Sequence, residues 1–246
     1  MKTLVTIAYE CWIQLARLFH PKRRNARFVG LLGSPGAGKG TVANLLAPRL
    51  HVPHLNMGKI VRREIEQKTE IGRVWAPAIK AGKLLPDKVV FRLLKRELAK
   101  PEYFNGAVID GFPRTMNQVK LLRRLLASMG NRIDVVVELV VSMPDLLERL
   151  SLRRTCSNGQ CARSYHLKFA PPRAEGVCDV CGSPLIQRED ERPESLVTRM
   201  AEFDRTFEPL RQYCDHLGLL VTVASTNQMT PEEVFEHVRF AIEEVD

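Results

Sequence analysis

The run Gly33-Ser34-Pro35-Gly36-Ala37-Gly38-Lys39-Gly40-Thr41 constrains this chain more than any other segment. An apolar stretch, Phe28-Val29-Gly30-Leu31-Leu32, precedes it, and a helical pattern from Val42 to Leu50 follows. Strand, glycine turn and helix in that order is the setting a phosphate-cradling loop requires. Small residues let backbone N–H groups close around phosphate oxygens, and the helix N-terminus adds partial positive charge beneath the anion. Lys39 is the cation such a loop sends to the β- and γ-phosphates, and Thr41 falls near the accompanying magnesium. The commoner pattern has Ser or Thr directly after the Lys; here Gly40 intervenes. A glycine-rich turn without ligand is the alternative, and the flanking strand and helix argue against it.

The chain has 246 residues, enough for one α/β domain with insertions. With 45% hydrophobic residues it can bury a sizeable core. No apolar run approaches the roughly 20 residues of a membrane span. Net charge is +9, which invites a nucleic-acid reading. The distribution opposes it. Residues 1–27 carry Lys2, Arg17, Lys22, Arg23, Arg24 and Arg27 against Glu10 alone, which accounts for +5 of the total. No basic surface interleaved with aromatics appears elsewhere, so no nucleic-acid partner is expected.

Five runs read as strands: 28–32, 53–56, 107–110, 134–141 and 219–223. Helical patterns fall at 41–50, 57–68, 87–99, 115–128, 144–153 and 193–216. Strands alternating with helices argue a parallel sheet covered on both faces. The last helix opens at Thr230-Pro231-Glu232-Glu233, a capping box with proline in the first turn. The alternation breaks at 154–191, where Gly, Pro and Cys replace helical periodicity, and this stretch reads as a small inserted domain. Residues 1–27 stand apart. Leu4, Ile7, Ala8, Cys11, Trp12, Leu15, Leu18 and Phe19 recur at helical spacing, and Pro21 stops them before the basic cluster. An amphipathic, acid-poor extension of this kind fits an organelle presequence, a helix packed on the domain, or a misassigned start.

Four of the six cysteines, Cys156, Cys161, Cys178 and Cys181, crowd into 154–191. Two short-spaced pairs across a sixteen-residue loop suit a tetrahedral four-thiolate zinc site. Disulfides and unpaired thiols are the alternatives; nothing resembles a cleaved secretory signal, and the chain is not expected to be secreted. Cys11 and Cys214 have no partners by spacing.

A second signature follows, Val108-Ile109-Asp110-Gly111-Phe112-Pro113-Arg114-Thr115 and then Gln118. Together with the GSPGAGKGT loop it resembles the adenylate kinases, in the long form with an extended lid, from about residue 28 to the C-terminus. The resemblance implies an α/β fold of the phosphate-loop NTPase type, a five-stranded parallel sheet flanked by helices. It places a kinase domain at 28–246, an AMP-binding insertion at 56–85 and a zinc-binding lid at 154–191. It implies transfer of the terminal phosphoryl group of ATP to AMP, giving two ADP, with magnesium beside the ATP and a structural zinc in the lid. A monomer is the family default, in the cytoplasm or, if the extension is a presequence, in an organelle. A GTP-dependent AMP kinase and a catalytically weak nucleotide-binding regulator are the rivals.

Carried over residue by residue, the resemblance assigns the donor to Gly36, Ala37, Gly38, Lys39, Gly40 and Thr41, with Arg149, Arg153, Ser164 and Tyr165. It gives catalytic roles to Lys39, Arg114, Arg149, Arg153, Arg188 and Arg199, and lets Asp110 hold magnesium through water. Arginine suits phosphate because its planar fork meets two oxygens and keeps its proton. The acceptor falls to Met57, Arg62, Lys83, Leu84, Leu85, Gly111, Phe112, Pro113, Arg114, Gln118, Arg188 and Arg199. Kinases preferring UMP or CMP carry Asn directly after the motif arginine; Thr115 and Gln118 here favour AMP. Four departures stand out. Asn56-Met57-Gly58-Lys59 replaces the usual Ser-Thr-Gly-Asp, losing a hydroxyl at Met57 and reversing a charge at Lys59. Leu152 stands where a hinge Gly is usual. The first cysteine pair is lengthened by Ser157-Asn158-Gly159-Gln160.

Overall fold

A computed structural model describes residues 27–191 and 193–243. The amphipathic pattern read over 1–27 lies, Arg27 apart, outside the described residues. In chain order the elements are β1 (Arg27–Leu32), α1 (Lys39–Arg49), β2 (His54–Asn56), α2 (Met57–Glu66), α3 (Glu70–Lys80), α4 (Asp87–Leu98), β3 (Gly106–Asp110), α5 (Met116–Ser128), β4 (Val135–Val140) and α6 (Met143–Ser151). Then come β5 (Arg153–Cys156), β6 (Ser164–His166), β7 (Leu185–Ile186), α7 (Pro193–His216), β8 (Leu220–Ala224) and α8 (Pro231–Glu243).

The five runs read as strands pair in the order β2-β3-β1-β4-β8, all parallel. Parallel strands need covered crossovers, and the side chains show both faces covered. Phe28, Leu55, Ile109 and Val136 turn to one face, against Leu94 and Leu98 of α4 and Val119, Leu122 and Leu126 of α5. Val29, Leu31, Val108, Val135, Val137 and Leu139 turn to the other, against α1, α6 and α8. Each fully buried aliphatic side chain contributes about 1.5–3 kcal/mol, so the alternation within β1 and β4 fixes their register firmly.

α3 was not expected. Gly72 and Pro77 lie inside it and read as breakers. Thr69 caps it, its hydroxyl accepting from Gly72 N at 3.1 Å. Gly72 is needed there because a Cβ would strike the Glu64 carbonyl, where α2 and α3 touch. α2 is in turn tied to α4 by charge. Glu64 and Glu97 are each 2% exposed. Glu97 pairs with Arg63 at 2.6 Å and with Lys100, while Glu64 takes Arg96 and, at 2.7 Å, the Thr69 hydroxyl. Burial pushes the Glu64 carboxyl up, but the bonds from Arg96 and Thr69 outweigh it and hold it below the ordinary range.

The inserted stretch folds on its own small sheet, β5 pairing antiparallel with β6 and β7. Leu152 closes α6 at φ −91°, a conformation that needs no glycine. The capping box at α8 forms as expected: Glu233 accepts from Thr230 N at 2.7 Å, and Thr230 Oγ1 accepts from Glu233 N at 3.2 Å.

Candidate active site

The loops after β1 and β3 meet at the carboxyl edge of the sheet, where open parallel sheets bind ligands. Gly33 to Gly38 wraps from β1 into α1. Gly38 takes φ +92° as it caps the helix, and Gly33 takes +135° with the Leu139 carbonyl 2.6 Å from where a Cβ would stand. The ammonium of Lys39 donates to the carbonyls of Gly33 and Ser34, both at 2.8 Å. Deep in the cleft wall, desolvation lowers its pKa to about 7; Asp110 pulls it back up, and Arg114, Arg199 and Arg153 press it down further. Those three arginines and the lysine line the same cleft. Like charges gathered out of water make an anion site.

Asp110 ends β3 across from Lys39. Its Oδ2 accepts from Asn56 Nδ2 at 2.6 Å and lies 3.5 Å from His54 Nε2. Burial raises this carboxyl, but His54, Lys39 and Arg114 together outweigh it and keep it ionised. Thr41, one turn into α1, opens to the cleft. The cleft itself holds about 1310 Å³, more than the 300–1,000 Å³ typical of a single small-molecule pocket.

The arginines are held in different ways. Arg149 spends its edge on protein: Nε donates to Asn227 Oδ1 at 2.7 Å, and Nη1 to Ser225 Oγ at 3.1 Å and Ala37 O at 3.3 Å. Arg153 and Arg188 share Glu191, whose carboxylate lies 3.1 Å from one and 3.4 Å from the other. Arg153 also reaches Ser164 Oγ at 3.4 Å. Arg114 donates from Nε to Gly111 O at 2.9 Å. Arg62 folds over Gly58, its Nη1 lying 3.2 Å from the place of a Cβ there.

Met57, Arg62, Lys83, Leu84, Leu85, Pro113 and Gln118, the residues expected on the acceptor side, all line the cleft. Phe112 is fully buried in the core, so its ring cannot reach a ligand. The Gln118 amide is already engaged: Oε1 accepts from Arg114 N at 2.7 Å and Nε2 donates to Asp87 Oδ1 at 2.8 Å. Tyr165 lines the cleft, and its hydroxyl accepts from Asp179 N at 2.8 Å and touches Cys178 Sγ at 3.4 Å.

The four lid cysteines converge, all Sγ atoms within 4.8 Å of one another. Cys156 and Cys181 stand 3.3 Å apart, Cys161 and Cys178 3.7 Å, and none is disulfide-bonded. Sulfurs at the corners of a zinc tetrahedron would be about 3.8 Å apart, given a Zn–S distance near 2.3 Å. The set fits zinc in donor type, number and span.

The family model for adenylate kinase matches residues 31–218. The chain belongs to the adenylate kinase family. An adenylate kinase of Caldicellulosiruptor saccharolyticus is 38% identical over 208 residues, 84% of this chain and 96% of its own length. One from Acidothermus cellulolyticus is 43% identical over 190 residues, 77% of this chain and 87% of its own. One from Methanothrix thermoacetophila is 35% identical over 208 residues, 85% and 94%. As an adenylate kinase, the chain moves the terminal phosphoryl group of ATP to AMP and yields two ADP. Several residues that hold the cleft's side chains carried no signal in the sequence: Asn227, Glu148, Glu191, Asp87 and His54. Each acts through a partner far along the chain, and no local spacing marks such a pair.

Proposed function

We propose that ATP binds along the phosphate loop, with its triphosphate in the cradle of Gly36 to Thr41, and that AMP binds between α2, residues 83–85 and Arg114. The observation that carries this reading is that Lys39, Arg114, Arg153, Arg199 and Asp110 all line one cleft. Charge gathered there stabilises a transferring phosphoryl group, whose negative charge is spread over its oxygens. An AMP phosphate oxygen attacks the γ-phosphorus in line, the bond to the β-phosphate oxygen breaks, and two ADP result. Arg114 bridges acceptor phosphate and moving group, while Arg188, Arg199 and Arg153 close from the lid side and exclude water that would otherwise compete.

Arg149 has Nε and Nη1 held by Asn227, Ser225 and Ala37, which fixes the plane of the guanidinium and leaves its flat face for stacking on the donor base. Magnesium suits Asp110 and Thr41, an ionised carboxylate and a hydroxyl beside the phosphate path, and when bound it neutralises phosphate oxygens. Zinc in the four-cysteine set would be structural, because four protein ligands leave no open position. The acceptor insertion at 56–85 and the lid at 154–191 act as two arms over the cleft. A monomeric, cytoplasmic enzyme is the simplest reading; the bacterial and archaeal relatives give no support to an organellar one. Among the described residues no helix is long and apolar enough to cross a membrane.

Lys39→Met tests the assignment in a coupled assay. Turnover should fall by about 10²–10⁴ with the fold intact, the scale of losing one preorganised electrostatic contact. Retention of more than half the activity would overturn the phosphate-loop reading.

A further inference from the structure

The loop between β8 and α8 carries Asn227, whose side-chain amide is engaged at both ends. Oδ1 accepts from Arg149 Nε at 2.7 Å, and Nδ2 donates to Glu148 Oε2 at 2.6 Å. Chemistry fixes that orientation. A guanidinium nitrogen only donates and a carboxylate only accepts, so a flipped amide would set donor against donor and acceptor against acceptor. The neighbouring backbone is tied down as well: Asn227 N points to Asp145 Oδ2 at 3.4 Å, and Ser225 N donates to Val140 O at 2.9 Å.

Two chains of contacts meet at this amide. One runs through Arg149 to the Ala37 carbonyl of the phosphate loop, at 3.3 Å. The other runs through Glu148, whose second oxygen, Oε1, accepts from Lys168 Nζ at 2.6 Å. Lys168 belongs to the lid, where His166 Nδ1 accepts from both Lys168 N at 3.2 Å and Phe169 N at 3.1 Å and so fixes the turn that presents it. An exposed lysine–glutamate pair contributes little by itself. Here the carboxylate is held for the lysine by Asn227, and the same amide holds the arginine.

We propose that Asn227 is a positioning residue that couples the seating of the lid to the attitude of Arg149 over the donor site, and so sets affinity for the nucleoside triphosphate. The proposal rests on the reading of Arg149 as a donor-side group. When Lys168 engages Glu148, the second carboxylate oxygen is presented to Asn227. The amide then holds Arg149 by its edge and leaves its face to the base. Neither Glu148 nor Asn227 lines the cleft.

Steady-state kinetics on the full chain, with ATP and AMP varied separately, test this. Asn227→Asp keeps an acceptor for Arg149 and sets a second carboxylate against Glu148, so it cuts the lid side alone; Asn227→Ala cuts both sides. The KM for ATP should rise about tenfold in Asn227→Ala and less in Asn227→Asp, the scale of one hydrogen bond to a charged group. The KM for AMP should stay near its original value, and Asn227→Gln should recover part of the loss. Lys168→Met combined with Asn227→Asp should be no worse than the poorer single variant, because both cut the same chain. Unchanged ATP KM in both Asn227 variants, equal losses for both substrates, or fully multiplicative effects in the double variant would each overturn the proposal. Should Asn227→Ala fail to fold, the near-isosteric Asn227→Asp still reads the coupling. Arg149→Lys separates the two layers. An unaffected ATP KM there sinks the donor-side reading itself; an affected one beside unaffected Asn227 variants sinks the coupling alone.

Discussion

Lys59 Nζ donates to the backbone carbonyl of Cys161 at 3.2 Å, joining α2 to the cysteine-bearing insertion. Both partners lie where this chain departs from its family's usual sequence. Lys59 replaces an acid, and Cys161 ends the lengthened cysteine knuckle. Alongside, the Glu66 carboxylate packs so closely on Gly159 that a Cβ there would overlap it.

The contact makes the two arms partners, so each substrate should strengthen binding of the other. Lys59→Asp should reduce that mutual enhancement by about two- to twelvefold, the range for one hydrogen bond. Linkage requires the same factor for AMP with a non-hydrolysable ATP analogue present and for the analogue with AMP present. Calorimetric titration in both orders checks it; an unchanged enhancement would make the bridge incidental.

Lys39 predicts a pH dependence of donor binding. Its pKa is lowered to about 7 in the cleft, chiefly by desolvation. A triphosphate beside it raises that pKa, so above pH 7 the complex holds more protons than its separate parts. Binding then takes up a proton, and ATP affinity should fall as pH rises above about 7. Titrations in buffers of different ionisation enthalpy would show the uptake directly. Affinity that stays flat from pH 7 to 9 would contradict it.

The cysteine set should hold about one zinc per chain, and its role should be mechanical. Chelation, or Cys178→Ser, should lower the melting temperature more than it lowers turnover of the enzyme still folded. Metal analysis, thermal unfolding and activity on one preparation decide the matter. Metal-free protein with four titratable lid thiols would be the contrary result.

Met57 is 3% exposed and belongs to the core that α2 shares with β2 and α4. Met57→Thr restores the hydroxyl usual in the family but leaves the core underfilled. Stability should drop by about 1–3 kcal/mol. The KM for AMP should fall about two- to twelvefold with turnover little changed, as for a contact made equally in ground and transition states. A weaker AMP KM would mean the pocket is shaped around Met57.

The glycine loop and the five strands were legible because each is local: a residue pattern with one physical solution. Buried strands declare themselves by continuous apolar runs, and β1 and β4 are nearly fully buried. α3 was not legible, since Gly72 and Pro77 argue against a helix until the close approach of Glu64 is known. Within the site, most of the motif residues line one cleft, but their orientation did not follow from sequence. Gln118 looked available to a base; Asp87, thirty-one positions away, already takes its amide nitrogen. Tyr165 looked like a donor-side group; its hydroxyl belongs to the cysteine cluster. Such outcomes depend on which distant group competes for the same hydrogen bond.

The joint between α2 and α4 carries an evolutionary consequence. Glu64 and Glu97 have no water to retreat to, and their charges are met by Arg63, Arg96 and Lys100. Removing Arg96 would leave the buried Glu64 carboxylate with the Thr69 hydroxyl as its near partner, at a cost of about 3–5 kcal/mol, while Glu97 has Arg63 and Lys100 to share its charge. Replacing acid and base together by apolar groups of similar volume would cost far less. Drift at these five positions is therefore concerted. Among relatives, the joint should change as a set, by swapped charges or wholesale loss of charge, and single steps between those solutions should be rare.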